Sequence, residues 1–217
     1  MLKVYGFAPT RTIRVAWTLQ EIGVPFEYVT VDLTKGENRR PELLSLNPAG
    51  KLPVLVDGDL VLTESVAIVV YLAERYPEAR LLPEGLSDRA QAMRWLLFAA
   101  TELEQPLWRI AHHTTILPPD RRVPADIPLA QADFRKMAAV LEEHMTGRTF
   151  LVGEDVTVAD FVMAYTLDWG NEAKLLDRSP NLRAYLERMY ARPNAPPRIA
   201  AALASVGAAG GPRPAAS

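Results

Sequence analysis

The sequence contains no cysteine, so it has no disulfide bonds, no zinc–thiolate cluster and no cysteine nucleophile. Its three histidines lack the spacing of metal ligands, and we therefore expect no metal site. Basic residues (24) nearly balance acidic residues (26), and the net charge of −2 argues against a nucleic-acid-binding protein, because phosphate contacts need concentrated positive charge. The longest apolar run, Val66 to Ala73, is too short to span a bilayer, so no membrane association is expected.

Apolar residues make up 49% of the sequence, which is enough for a sizeable core and excludes wholesale disorder. The length of 217 residues suits one large domain or two small ones, at about 100–200 residues per domain. Met1 to Gly6 enters a strand-like run without a charged and then apolar leader. We therefore predict no signal peptide and a cytoplasmic protein.

Strand and helix patterns alternate in the first part of the chain. Gly23 and Pro25 are typical of a helix end, and Thr63 is placed to cap a later helix. The run Val66 to Val70 is rich in β-branched residues, yet its cap and length favour a helix. The order β-α-β-α-β-β-α predicts a small sheet with helices on both faces. The predicted elements are strand Leu2 to Gly6, helix Thr10 to Ile22, strand Phe26 to Val31, helix Pro41 to Leu46, a hairpin of Leu52 to Val56 and Leu60 to Leu62, and helix Glu64 to Tyr76.

Long helical patterns replace this alternation after a connector that contains Pro and Gly. Ser87 is expected to cap the first long helix and Pro106 to bend it. Thr157 and Asp160 have the spacing of a capping box, in which each side chain bonds the main chain of the other residue. Further helices are predicted over Pro128 to Met145, from Thr157 onward, over Pro180 to Ala191 and over Pro197 to Ala204. We predict a first domain of residues 1–78, a linker of residues 79–87, a helical domain of residues 88–205 and a disordered tail of residues 206–217.

The most informative segment is Asn47-Pro48-Ala49-Gly50-Lys51-Leu52-Pro53-Val54, which Glu64-Ser65 follows after the predicted hairpin. A proline that interrupts the donor row of a strand leaves neighbouring main-chain groups free for a ligand. The helix start at Glu64 and Ser65 offers N–H groups and a hydroxyl, which attract a carboxylate. These features together predict a ligand site. Taken singly, the pair also suits a simple helix cap, Lys51 a solvated surface charge and Pro53 the start of a strand.

An α/β unit with this proline and this helix start, followed by an all-helical part, resembles the glutathione transferase superfamily. The resemblance covers nearly the whole chain, and its matching pieces are Asn47 to Val54, Glu64-Ser65 and the capping region Val152 to Asp160. The resemblance is to a cytosolic, bacterial-like member, and the absence of cysteine excludes the beta or omega type that uses a cysteine. The resemblance implies an α/β thioredoxin-like N-terminal domain, with Pro53 in a cis peptide, and an all-α helical-bundle C-terminal domain.

The resemblance also implies which residues bind glutathione. Val54 would pair its main chain with the cysteinyl part, whereas Glu64 and Ser65 would hold the γ-glutamyl ammonium and carboxylate. Lys51 lies where a cation would meet the glycyl carboxylate, and a neighbouring donor would assist it, although related sequences often place other donors there. The implied set is Asn38 or Arg39 as the assisting donor, with Lys51, Leu52, Pro53, Val54, Glu64 and Ser65.

An enzyme of this type must stabilise the thiolate of glutathione. A free thiol has a pKa of about 8.5, and lowering it by about two units requires about 2.7 kcal/mol of preferential stabilisation. A hydroxyl at the start of the first helix is suited to donate to the sulfur, and we favour Thr10, with Thr12 in reserve and Arg11 adding positive potential. The superfamily usually places Ser, Tyr or Cys there, so a threonine departs from the commonest pattern, and both threonines also suit simple capping. Tyr5 is expected to be buried in its strand and is excluded from this role.

We therefore predict an enzyme that adds the sulfur of glutathione, its co-substrate, to a small hydrophobic electrophile. The electrophile is expected between the two domains, against Trp108 and His112; the adjacent His113 faces another direction, so the two histidines are not expected to act as a pair. Asp160 is expected to cap a helix and not to catalyse. A homodimer is implied by the resemblance only. The alternatives are a non-catalytic binding or interaction module, a glutathione-dependent peroxidase, and an isomerase, whose Ser- and Cys-rich motif is missing.

Overall fold

The computed structural model describes residues 1–209, with side chains described as far as Val206. Contacts divide the chain into two units, one formed by Met1–Leu82 together with the segment that begins at Pro193, the other by Pro83–Arg192. The first unit contains a sheet flanked by helices and the second is helical, which confirms the predicted fold class. Most of the predicted disordered tail, residues 210–217, lies outside the described residues.

The sheet of the first unit has four strands in the order β2-β1-β3-β4. Its members are β1 (Leu2–Gly6), β2 (Phe26–Thr30), β3 (Val54–Asp57) and β4 (Leu60–Thr63). β1 is parallel to β2 and antiparallel to β3, and β3 is antiparallel to β4. A parallel pair needs a crossover connection, which the helix α1 (Thr12–Ile22) supplies. This topology places the end of β1 and the start of α1 at the same edge as the start of β3.

Helix α1 lies against one face of this sheet. Alternation along the strands puts Val4 and Leu55 on that face, and both are fully buried. Gly6, two residues after Val4, meets the side chain of Thr12 at the start of α1. The helix α3 (Ser65–Arg75) packs against α1. The run of β-branched residues in α3 is thus helical, as its length predicts.

The opposite face of the sheet is covered by α2 (Pro41–Leu46) and by α9 (Ile199–Ala209). Val54 of β3 joins a buried cluster there with Leu43 of α2, and Val206 packs against it. The segment from Pro193 therefore belongs to the first unit, whereas the sequence interpretation assigns residues up to 205 to the helical domain. α9 also continues to Ala209, beyond the predicted start of the tail. Amphipathic pattern shows that a helix buries one side, but not which distant surface receives it.

Two predicted helix caps are wrong. Thr63 is the last residue of β4, paired opposite Val54, so its extended backbone leaves Glu64 as the residue that precedes α3. Ser87 lies inside α4 (Leu86–Phe98), which begins after Gly85 without a side-chain cap. In both places the chain turns into the helix one or two residues away from the predicted position, because strand pairing or an earlier helical hydrogen bond fixes the boundary.

The helical unit is built around α7 (Val158–Glu172), which is buried along most of its length. The other helices are α4, α5 (Glu104–Ala111), α6 (Asp126–His144) and α8 (Pro180–Tyr190). A π-helical turn at Ala99–Leu103 directly precedes α5, where Pro106 cannot donate the usual hydrogen bond. None of the helices in residues 1–209 combines the length and hydropathy needed to cross a bilayer.

The predicted capping box of α7 is confirmed. The Thr157 hydroxyl accepts from the N–H of Ala159, and the Asp160 carboxylate accepts from the N–H of Thr157 at 2.8 Å. Asp160 also accepts from the N–H of Leu151 at 3.0 Å and from the Tyr185 hydroxyl at 2.8 Å. Burial raises the pKa of the Asp160 carboxyl, and these hydrogen bonds oppose the rise. These hydrogen bonds join the Asp160 carboxylate to the loop before α7 and to α8, as well as to the cap itself.

Candidate functional site

The two threonines after β1 form a closed ring of hydrogen bonds with one main-chain residue. The Thr10 hydroxyl donates to the carbonyl of Phe7 at 2.5 Å. Its oxygen lies 2.8 Å from the Thr12 hydroxyl oxygen, which in turn accepts from the N–H of Phe7 at 3.4 Å. Because the Thr10 proton is directed to Phe7, the proton between the two hydroxyls belongs to Thr12. Two hydroxyls that the sequence offers as alternatives are therefore one connected group.

Burial distinguishes the two hydroxyls. Thr12 is 1% exposed, whereas Thr10 is partly exposed at the turn that precedes α1. Thr10 also accepts from the N–H of Thr12 at 3.3 Å, although the residue directly before α1 is Arg11, which makes no side-chain cap. Its exposure nevertheless makes Thr10 the hydroxyl that a bound molecule can reach, and Thr12 the one behind it.

The proline segment lies at the same edge of the sheet. The Leu52–Pro53 peptide is cis, as the resemblance implies, and so is the Ala8–Pro9 peptide, which the sequence interpretation does not foresee. Leu52 and Pro53 are buried. Val54 lies between Tyr5 of β1 and Thr63 of β4 in the sheet register, so strands occupy both of its sides. Sheet pairing of β3 begins at Val54, so the main chain of Leu52, on the other side of Pro53, lies outside the paired strand.

The start of α3 contains a buried hydroxyl beside a buried cation. Ser65, the first residue of the helix, is 3% exposed, and its hydroxyl oxygen accepts from the Arg14 guanidinium at 3.1 Å. Arg14 of α1 is itself 1% exposed. Glu64, the residue before the helix, is exposed and has a φ of 64°, a left-handed conformation that non-glycine residues seldom adopt. The positive helix end, the guanidinium and the hydroxyl together make a setting for an anion.

Arg14 is a functional candidate that the sequence interpretation misses. It stands between Ile13 and Val15 in the part of α1 where consecutive residues are buried. A charged residue inside such a stretch is the one signal that the sequence carries, because arginine is almost never fully buried without a partner. Its neighbour Ser65 lies 51 positions away along the chain, so the sequence could not identify the contact.

Two side chains hold the loop around Gly50 in place. Asn38 donates from its amide to the Gly50 carbonyl at 2.9 Å, and Asn47 donates to the Lys51 carbonyl at 2.8 Å. Gly50 has a φ of 62°, and a Cβ there would lie 2.9 Å from a terminal nitrogen of Arg39. Arg39 and the exposed Lys51 thus bring two cations to this loop. The Asn38 amide bonds the loop itself, so Asn38 positions the loop, whereas Arg39 and Lys51 supply positive charge.

The two predicted contacts of the electrophile lie in an aromatic group of the helical unit. The Trp108 and His112 rings are 5.4 Å apart, and Trp169 of α7 meets Trp108 edge to face at 5.4 Å. All three side chains are partly exposed. His113 instead accepts from the N–H of Val123 at 3.1 Å, so the neighbouring histidines have different surroundings. Trp169 has no sequence signal, since its contact with Trp108 joins distant helices.

Among residues 1–209, no group of three or more His, Asp or Glu side chains is arranged to hold a metal ion. The first unit offers hydroxyls at Thr10 and Ser65 and cations at Arg39 and Lys51 near the Gly50 loop. It suits an extended molecule with carboxylate ends and a central group that a hydroxyl can stabilise.

Comparison with known proteins gives matches to two family models and to many relatives. The glutathione S-transferase N-terminal domain matches residues 1–74, and the glutathione S-transferase C-terminal domain matches residues 109–193. The chain is 34% identical over 217 residues to the probable glutathione S-transferase GSTF1 of Oryza sativa subsp. japonica, with 95% of this chain and 99% of the relative covered. It is 38% identical over 165 residues to glutathione S-transferase F10 of Arabidopsis thaliana, with 74% and 76% covered.

A solved structure adds a ligand to this comparison. The theta class glutathione S-transferase from Xanthomonas axonopodis pv. citri, with glutathione bound, matches with a TM-score of 0.78 and 26% identity. The match covers 89% of this chain and 94% of that structure.

Proposed function

Because the chain belongs to the glutathione transferase superfamily, we propose that it conjugates the thiolate of glutathione to a small hydrophobic electrophile. The observation that carries this proposal is the buried contact of Arg14 with Ser65 at the start of α3. A hydroxyl backed by a guanidinium at the positive end of a helix stabilises a carboxylate. Glutathione supplies such a group at its γ-glutamyl end.

Each end of the tripeptide has a suitable partner. Ser65 donates to the γ-glutamyl carboxylate, and the exposed Glu64 meets the ammonium beside it. Lys51, which follows Gly50 in the chain, and Arg39, whose side chain lies beside Gly50, attract the glycyl carboxylate as cations. Asn38 contributes indirectly, because its amide fixes the Gly50 carbonyl.

The middle of glutathione pairs with main chain next to Pro53. Strands lie on both sides of Val54, so we assign the pairing to Leu52, which comes before the paired residues of β3. Main-chain pairing of this kind adds the ligand to a sheet as an extra strand. Val54 then contributes as a buried residue that anchors the segment.

Thr10 stabilises the cysteinyl sulfur as a thiolate. To do so its hydroxyl turns from the Phe7 carbonyl to the sulfur, while the Thr12 hydroxyl continues to donate to the Thr10 oxygen. A hydrogen bond to a charged acceptor contributes about 1.5–3 kcal/mol, which is comparable with the 2.7 kcal/mol or so that a pKa lower by about two units requires. Thr12 thereby supports the donor without touching the sulfur.

In the reaction itself, no protein side chain forms or breaks a covalent bond. The thiol proton leaves to solvent, and the sulfur lone pair forms a bond to the electrophilic carbon as the leaving group departs with its electron pair. Holding both reactants together supplies the remaining advantage. We assign contact with the electrophile to Trp108 and His112, with Trp169 extending the aromatic surface that they offer.

A second candidate function is a non-catalytic module that binds glutathione. One observation favours it: the Thr10 proton is already engaged with Phe7 at 2.5 Å. Binding would then use the Ser65 and Leu52 contacts without activation of the thiol. A glutathione-dependent peroxidase or isomerase would use the same binding residues and differ only in the second substrate.

We further propose a cytoplasmic homodimer. α4 carries an apolar stripe of Leu86, Met93 and Leu97, which are 84%, 37% and 52% exposed. Their spacing of seven and four residues places them on one helix face. Sedimentation of the wild type and of Leu97→Glu tests this assembly: a dimer that the substitution dissociates supports it, and a monomeric wild type contradicts it.

Calorimetric titration of glutathione, followed by turnover with an aromatic electrophile, tests the function. Saturable binding together with thiolate absorbance and turnover supports the transferase. Binding without a lowered thiol pKa and without turnover supports the module, and no binding at millimolar glutathione removes both.

A further inference from the structure

Gly6 is the last residue of β1, and its position leaves no room for a side chain. A Cβ on Gly6 would overlap the Cγ2 methyl of Thr12 and would lie 2.9 Å from the Thr12 Cβ and 2.8 Å from the Tyr28 hydroxyl oxygen. The glycines with positive φ among the described residues do not include Gly6. Its backbone conformation is therefore open to any residue, and space is the reason that glycine is needed.

Thr12 cannot easily move aside to make that room. It is 1% exposed, and its hydroxyl oxygen is held by the Phe7 N–H at 3.4 Å and by the Thr10 hydroxyl at 2.8 Å. The methyl that fills the space over Gly6 and the hydroxyl that faces Thr10 are on the same Cβ. Rotation that freed the methyl would carry the hydroxyl away from Thr10.

We infer that Gly6 is a positioning residue for the thiol-activating hydroxyls: the gap above it seats the Thr12 methyl and thereby points the Thr12 hydroxyl at Thr10. The inference rests on the proposed role of Thr10 in stabilising the thiolate. In this role Gly6 contacts neither glutathione nor the electrophile. It acts on the thiol only through the orientation of the Thr12 and Thr10 hydroxyls.

The substitution Gly6→Ala tests the inference through the thiol pKa of bound glutathione, measured by ultraviolet titration of the thiolate. We expect this pKa to rise by about half a unit to one unit, with turnover lowered by about three- to tenfold at neutral pH. The acid limb of the pH–turnover profile should shift in the same direction. The glutathione dissociation constant, measured at a pH well below the thiol pKa where the bound thiol is protonated, should change by less than about twofold, because Ser65 and Lys51 are untouched.

A second-site comparison separates positioning from general packing. Thr12→Ser removes the Cγ2 methyl and keeps the hydroxyl, so Gly6→Ala introduced into Thr12→Ser should raise the pKa by less than half as much as in the wild type. Gly85→Ala is the matched control, since the nearest atom to a Cβ there is 4.0 Å away. It should leave the pKa of the bound thiol unchanged.

Several outcomes overturn the inference. One is a folded Gly6→Ala protein whose bound thiol titrates as in the wild type, even if its melting temperature falls. Another is an equal rise in pKa in both backgrounds, because the methyl would then not be the cause. If Gly6→Ala does not fold, the pKa of Gly6→Ala/Thr12→Ser relative to Thr12→Ser decides: a rise of a full unit overturns the inference, and a value within a few tenths supports it. A wild-type thiol pKa near 8.5 instead contradicts the role of Thr10, and it does so before any variant is made.

Discussion

Two helix starts in this chain satisfy their N–H groups in opposite ways. At α7, Thr157 and Asp160 provide acceptors from the protein, and the carboxylate is fully buried. At α3, the Glu64 side chain makes no capping bond, and Ser65 is backed by Arg14. The first N–H groups of a helix need partners, so the start of α7 is complete by itself, whereas the start of α3 is suited to a bound anion.

The charges at the two starts follow the same division. α7 receives a negative carboxylate next to its positive end, which completes the electrostatics of the helix. α3 has the Arg14 guanidinium and the Ser65 hydroxyl near its positive end, and these groups together favour the approach of an anion. The contrast teaches that an incomplete helix start with a buried cation indicates binding, and that a complete one indicates stability.

The largest expected effect is on the complete start. Asp160→Ala removes the acceptor of four buried donors, the N–H groups of Leu151 and Thr157 and the hydroxyls of Thr157 and Tyr185. Each unsatisfied buried donor costs about 1–3 kcal/mol, and we expect the free energy of unfolding in urea to fall by about 3 kcal/mol or more. The exposed Asp155 in the same loop supplies the control, Asp155→Ala, with a change within about 0.5 kcal/mol. Equal losses in the two variants would remove the special role of the α7 start.

The incomplete start should affect binding more than stability. Ser65→Ala removes a donor to the γ-glutamyl carboxylate, and we expect glutathione affinity in calorimetry to weaken by about 1–3 kcal/mol. Ser87→Ala, on an exposed residue of α4, is the matched control and should bind as the wild type does. Unaltered affinity in Ser65→Ala would show that the α3 start does not bind glutathione. The proposed difference in role between the starts of α3 and α7 would then be wrong.

The hydroxyl ring should affect the pKa of the bound thiol, and the affinity for glutathione only at a pH at which that thiol is ionised. Thr10→Ala is expected to raise the pKa of the bound thiol by about one unit, equivalent to about 1.4 kcal/mol, and to lower turnover accordingly. Thr10→Ser keeps a hydroxyl and should retain more than half of the effect. A titration of Thr10→Ala that matches the wild type would move the role to Thr12 or to main-chain donors.

The smallest effect is expected at the exposed cation of the Gly50 loop. Lys51→Ala should weaken glutathione binding by about 0.5 kcal/mol at low salt and by less at high salt, since exposed charges are screened. Lys136→Ala, also on an exposed residue, should have no effect at either salt concentration. A salt-independent loss of more than tenfold in Lys51→Ala would mean that this lysine is desolvated in the complex.

Local features of the molecule could be predicted from the sequence because their partners are close along the chain. Gly23 ends α1 with a φ of 79°, and Thr157 reaches Asp160 within one helical turn. Alternation predicts the strands, although β3 begins only after Pro53, since a proline cannot donate in a ladder. The resemblance also identifies the chain segment in which the glutathione-binding residues are proposed to lie, while their individual roles stay predictions.

The sequence by itself determined which stretches form helices and strands, that Thr157 and Asp160 cap α7, and which family the chain belongs to. Only the tertiary structure decided that Arg14 meets Ser65, that Val54 has strands on both sides, that Thr12 lies behind Thr10, and that α9 joins the first unit. The physical reason is range: caps and turns depend on residues within about five positions, whereas burial and pairing depend on which distant surfaces the folded chain brings together.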